Sequence, residues 1–241
     1  MARGAALAEA ITRLEERYGN GVVLPGGARE ERRALRTIPF GIASLDALLE
    51  GGIVAGEPQA LVGEPASGML TLAVSLAASA QRSGGEVVWL DPTASFDPLA
   101  AARAGVDLAR LLVVRAEGDD LVFAASVVAR SSAFVLVIID AGAFGRVPDP
   151  ALATFIARAR AASVPLLVLG DRGGSCAAML PLVEVRRREW LRRGGRLVGW
   201  RSEAARPHDR RVASLAFVPL ALPPRIVVDE GLREARLEVL A

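Results

Sequence analysis

The stretch LVGEPASGML, residues 61–70, decides how this chain is read. Gly63 and Gly68 enclose four residues, the spacing of a phosphate-binding loop, with the apolar run Gln59–Val62 before them and an Ala/Leu-rich run after. A phosphate-binding loop continues with Lys and then Ser or Thr; here Met69 and Leu70 follow. Two readings stand at this point. The loop is a turn that joins a strand to a helix, or it retains some contact with an anion.

Working outward, the pattern alternates. Ile42–Leu49 reads as a helix, Gln59–Val62 as a strand and Leu70–Gln81 as a helix. Glu86–Leu90 (EVVWL), Leu111–Arg115 (LLVVR), Val135–Ile139 (VLVII) and Pro165–Leu169 (PLLVL) read as strands, with helices expected over 99–104, 121–130 and 151–162. Nearly continuous apolar strands separated by helices predict an α/β fold, a mostly parallel sheet covered on both faces. The C-terminal third changes character. LPLVEVRRREWLRRGGRLVGWRSE has two β-rich halves around Gly194-Gly195, a hairpin with arginines at its tip. RIVVDEGLREARLEVLA reads as a second hairpin or as a strand and a helix.

At the other end, Leu7, Ile11, Leu14 and Tyr18 make one apolar helical stripe. Gly19-Asn20-Gly21 ends it, Val22-Val23-Leu24 reads as a short strand, and GGAREERRAL as a linker. The expected organisation is an arm and linker over 1–36, a core over 37–222 and a tail over 223–241.

Composition narrows the function classes. The chain has 241 residues, 52% of them apolar, enough for one sizeable core. Mean hydropathy is +0.35, yet no apolar run approaches the roughly 18 residues of a membrane helix. Glu9, Glu15 and Glu16 interrupt the N-terminal apolar run, so no secretory leader is expected and the cytoplasm is the expected compartment. One cysteine, Cys176, and one histidine, His208, provide neither a disulfide nor metal-ligand spacing. All 29 basic residues are arginine, so no lysine elsewhere can replace the one missing after Gly68.

Five segments, in order, resemble the core of RecA-family recombinases: AEAITRLEERYGNGVV, RTIPFGIASLDALLEGGIVAGEPQALVGEPASG, EVVWLDPTASFDP, VLVIID and GRLVGWRSEAARP. The resemblance implies a RecA-like core with an N-terminal helix-strand arm and a C-terminal β-hairpin, and it runs from about residue 5 to about residue 220. It also implies a list of losses. The loop lysine and hydroxyl fall on Met69 and Leu70, the catalytic glutamate on Thr93, and the sensor glutamine on Gly170. Of two lysines that reach a neighbour's nucleotide, one falls on Arg201 and the other on Glu203. Asp140 keeps the carboxylate that ends the VLVIID strand, and Asp97 an acidic residue that would face adenine. Each lost charge-assisted hydrogen bond is worth about 1.5–3 kcal/mol and each catalytic electrostatic contact about 2.7–4 kcal/mol, so hydrolysis is expected near the uncatalysed rate. Gly63, Gly68, Asp97 and Asp140 are then remnants, with no cofactor and no metal expected.

The DNA-binding loops of the family are shortened here and its C-terminal domain has no counterpart, so strand exchange is not expected. Within the family, the chain resembles the ImuA-type accessory proteins of SOS mutagenesis. That implies a non-catalytic adaptor whose partners are a RecA recombinase and an ImuB-like polymerase homologue. Family members dock through the arm, which makes Leu7, Ile11, Leu14, Tyr18, Val22 and Val23 the candidate partner surface. Arg186, Arg187, Arg188, Trp190, Arg192, Arg193, Arg196 and Arg201, with Trp200 among them, are candidates for weak DNA contact or an acidic partner, or else form a solvated tip with inward tryptophans. The alternatives are a weak DNA-stimulated ATPase and a SulA-type inhibitor of cell division.

Overall fold

The computed structural model describes residues 13, 37–131, 133–141, 149–171, 174, 180–207, 209–219 and 224–228. The chain divides into two compact units, Met1–Thr37 and Ile38–Ala241. In the first, Arg13 is helical and Thr37 extended; the arm residues Leu7, Ile11, Leu14, Tyr18, Val22 and Val23 lie outside the described residues, as do Cys176 and His208.

The second unit is built on a nine-stranded sheet. Its strands are β1 (Gln59–Gly63), β2 (Glu86–Leu90), β3 (Leu111–Val114), β4 (Phe134–Asp140), β5 (Leu166–Gly170), β6 (Leu182–Arg193), β7 (Arg196–Ala205), β8 (Val212–Pro219) and β9 (Pro224–Val228). Their order across the sheet is β9-β8-β7-β6-β1-β5-β4-β2-β3. From β6 to β3 neighbours run parallel, and from β6 to β9 antiparallel. The helices are α1 (Ala43–Leu48), α2 (Met69–Gln81), α3 (Pro98–Arg103), α4 (Gly118–Arg130) and α5 (Asp149–Ala161).

Strand side chains alternate between faces, and here both faces are apolar, so each strand reads as an unbroken run. Leu61, Trp89, Ile138, Leu169 and Val185 join one core with Leu72, Leu76 and Ala80 of α2. Val62, Leu90, Ile139 and Val168 join the other with Leu121 and Val128 of α4 and Phe155 and Ile156 of α5. The expected α/β fold is therefore the observed one, and each expected helix and strand of the parallel part is found within a few residues. Strand β8 had no counterpart in the expectation. The tail, read as a hairpin or as a strand and a helix, contributes β9, which pairs with β8; beyond Val228 it lies outside the described residues.

Strand order places the carboxyl ends of β1, β4, β2 and β5 along one rim, where open α/β sheets carry their sites. The approach to that core is held by Asp46 of α1, whose carboxylate accepts from the backbone N–H groups of Phe40 (2.6 Å), Gly41 (3.0 Å) and Ile42 (3.0 Å). Burial raises its pKa above the ordinary carboxylate value, and the three N–H donors pull the other way. Asp46→Ala leaves those donors without their acceptor and is expected to cost about 2 kcal/mol, read as a lower urea midpoint at unchanged m-value.

Candidate functional site

The loop between β1 and α2 is held from the side of the antiparallel strands. Gly68 caps α2 with φ +98°, and a Cβ there would come within 2.3 Å of the Phe217 ring on β8. Gly63 is as tightly placed: a Cβ would meet Ser67 Oγ at 2.6 Å and the Val185 carbonyl at 2.7 Å. Ser202 of β7 donates its hydroxyl to the Ser67 carbonyl at 2.6 Å. Arg187 of β6 donates to the carbonyls of Pro65 (3.3 Å) and Ala66 (3.5 Å), the latter residue itself at φ +60°. Carbonyls of this loop thus hold the hairpin. Met69 packs against the α2 core, and Leu70 is 37% exposed.

Across the rim lies a second cluster. Asp140, at the end of β4, is buried and its Oδ2 accepts from the hydroxyls of Thr93 (2.6 Å) and Ser95 (2.5 Å). Both hydroxyls also lie 3.4 Å from Oδ1 of Asp91, the residue after β2. Asp91 is buried too, accepting from the backbone N–H groups of Ser95 (2.9 Å) and Phe96 (3.3 Å) and from Arg115 Nε (3.2 Å). Thr93 therefore places a hydroxyl on Asp140 at the position where the resemblance puts a catalytic carboxylate. Asp97 is the N-cap of α3, accepting from Leu99 N (2.9 Å) and Ala100 N (3.1 Å). Gly170 ends β5 and is buried.

The hairpin of β6 and β7 sorts its side chains by face. Phe217 stacks on Trp200 (5.2 Å between ring centroids, 16°), Trp200 meets Trp190 edge-on (6.3 Å, 69°), and the Arg187 guanidinium lies 4.3 Å over the Trp190 ring. Arg186 pairs with Glu184 (2.7 Å), Arg188 with Glu203 (2.6 Å) and Arg201 with Glu189. The bond from Glu184 raises the pKa of the Arg186 guanidinium. Arg192, Arg193 and Arg196 lie exposed at the tip.

Sequence reasoning singled out Gly63, Gly68 and Asp140. It passed over Phe217, Ser202, Asp91, Ser95 and Arg115. The segment DPTAS carried a signal, because two hydroxyl residues closely follow a strand-end aspartate in it. Nothing in the sequence ties Phe217, almost 150 positions away, to Gly68. Among the described residues, no group of three His, Cys, Asp or Glu is arranged to hold a metal, and no helix is long and apolar enough to cross a membrane.

Comparison with known proteins agrees with this architecture. The protein RecA of Roseiflexus sp. (strain RS-1) is 36% identical over 137 residues, covering 56% of this chain and 39% of the relative. The protein RecA of Acidiphilium cryptum (strain JF-5) is 32% identical over 142 residues, 58% of this chain and 41% of its own length. The chain thus spans about two fifths of the length of these curated relatives. A crystal structure of the RadB recombinase superposes with a TM-score of 0.58 at 18% identity, over 75% of this chain and 96% of that one, which supports the fold. The family model of the RecA N-terminal domain matches residues 5–158, and the chain belongs to that family.

Proposed function

We propose that this chain is a non-catalytic RecA-like accessory protein of DNA damage tolerance, of the ImuA type, acting as an adaptor between a RecA recombinase and an ImuB-like polymerase homologue. The observation that carries the proposal is at Asp140: the hydroxyls of Thr93 and Ser95 occupy the same carboxylate oxygen, and no carboxylate stands at position 93 to orient a water. A magnesium nucleotide does not fit the residues present. Met69 and Leu70 supply neither the cation nor the hydroxyl that phosphates and Mg²⁺ require, and Met69, partly buried, packs against the core. Arg187, the guanidinium bonded to the loop, is committed to its carbonyls.

Docking rather than chemistry also suits the surface. The sheet edge at β3 exposes Leu112 (49%), and α4 exposes Phe123 (70%) and Val127 (45%). Exposed apolar side chains, and a strand edge with no sheet neighbour among the described residues, favour association with another chain.

Two measurements test the reading. A thermal melt with Mg-ATP is expected to show no shift, whereas a ligand at one hundred times its Kd stabilises by about 2.7 kcal/mol. In biolayer interferometry, the full chain is expected to bind the recombinase of the same organism with or without ATP, and a chain lacking residues 1–25 to lose that binding. ATP-dependent stabilisation with turnover stimulated by single-stranded DNA would sink the non-catalytic reading, and no binding to the recombinase in either buffer would sink the adaptor.

A further inference from the structure

We propose that the tip of the β6–β7 hairpin is a docking surface for an acidic, leucine-bearing segment of a protein partner. The inference stands on the hairpin alone and does not depend on which partners the chain has. Arg186, Arg188 and Arg201 are neutralised within the hairpin by Glu184, Glu203 and Glu189, and Arg187 is held by the loop carbonyls and the Trp190 ring. Beyond them the pattern stops. Among the described residues no carboxylate pairs with Arg192, Arg193 or Arg196; Arg192 donates to the Gly195 carbonyl at 3.2 Å.

Register makes this arrangement costly for the fold. Arg193 stands directly opposite Arg196, and Arg192 opposite Leu197. Like charges facing each other across an antiparallel pair are destabilising. Hairpin stability therefore does not explain arginine at these positions, and an external anion that bridges the guanidinium groups does.

The choice between a nucleic acid and an acidic peptide rests on Trp190. Base stacking needs a free aromatic face. The Trp190 ring already has the Arg187 guanidinium 4.3 Å over one face and the Trp200 ring set edge-on, so a base stacked on that face would have to displace Arg187, whereas an aliphatic side chain needs only the part of the ring left exposed. Carboxylates, by contrast, are what the neighbouring arginines already bind in this hairpin. Leu197 is 53% exposed and Trp190 46%, which gives an apolar side chain of the partner somewhere to pack between the charges. Attachment of the hairpin base to the loop, through Ser202 and Arg187, restrains the platform before binding and reduces its ordering cost.

The test uses the full chain and two fluorescent probes of equal net charge, a glutamate-rich peptide carrying spaced leucines and an oligothymidylate, followed by anisotropy at low and moderate salt. The peptide is expected to bind more tightly, and R192E/R193E/R196E to weaken it by about tenfold or more. A melt of that variant checks folding, and Leu197→Ser, which leaves every charge in place, is expected to weaken the peptide several-fold without affecting the oligonucleotide. Tighter binding of the oligonucleotide, absence of peptide binding, or peptide binding unaltered in both variants overturns the proposal.

Discussion

Gly68→Ala is expected to destabilise the fold by about 2–5 kcal/mol, and the loss should depend on Phe217. Two costs combine. An L-residue at φ +98° carries about 1–2 kcal/mol of left-handed strain, and a methyl group pressed to within 2.3 Å of a ring forces a shift worth about 1–3 kcal/mol. Phe217→Ala alone removes a ring that is 1% exposed and stacked on Trp200, for about 3–5 kcal/mol. In the double variant the collision is gone and the backbone strain remains, so the two losses should fall short of additivity by about 1–3 kcal/mol. Urea midpoints of the four proteins measure this directly. Additive losses would mean that the ring does not support the loop. The expected coupling identifies the loop as a seat for the antiparallel strands, which in turn explains how it persists without lysine.

A second large effect is expected at Thr93. Thr93→Glu supplies the carboxylate that the family resemblance places there, beside Asp140 and Asp91. Unit charges about 4 Å apart interact by about 4 kcal/mol at an effective dielectric constant near 20, and the Arg115 guanidinium, with its Nε 3.2 Å from Asp91 Oδ2, already serves that carboxylate. After side-chain relaxation a loss of about 2–4 kcal/mol is expected at neutral pH, with no gain in ATP hydrolysis. Thr93→Val, which removes a hydroxyl without adding charge, should cost only about 1–2 kcal/mol. Equal losses for the two variants would show that charge is not the cause. A gain in turnover for Thr93→Glu would reinstate the rim as a nucleotide site.

Together these experiments separate two roles of one rim. The loop and Phe217 concern how the parallel and antiparallel halves of the sheet are joined. Asp140 and Thr93 concern whether any hydrolytic arrangement survives. A stable loop with an inert rim is the combination expected of an accessory protein.

What the sequence by itself determined was everything written in local periodicity. Strands such as VLVII and PLLVL are apolar on consecutive residues because both sheet faces are covered, and Gly63 and Gly68 mark the turn between β1 and α2 at fixed spacing. The Gly194-Gly195 turn fell in the same class, since its two residues at φ +54° and +79° need glycine's freedom whatever surrounds them. Strand β8 was the exception among the strands: VASLAFVP has the composition of a strand, but no turn signal of comparable strength sets it off.

Only the tertiary structure decided which distant residues share a site. Pairing of β7 with β8 brings Trp200 opposite Phe217, and that register delivers the ring to Gly68. Parallel pairing of β2 with β4 brings the end of one strand beside the end of the other, so that Thr93 and Ser95 reach Asp140 across more than 40 positions of sequence. The same holds for charge: in the sequence the hairpin arginines form one undivided cluster, whereas in the fold Arg188 and Arg201 pair with glutamates across the strands, Arg186 pairs with Glu184 on its own strand, Arg187 reaches the loop carbonyls, and Arg192, Arg193 and Arg196 are left at the tip. Periodicity reports the environment of each residue along its own element, whereas a site depends on which elements the sheet makes neighbours.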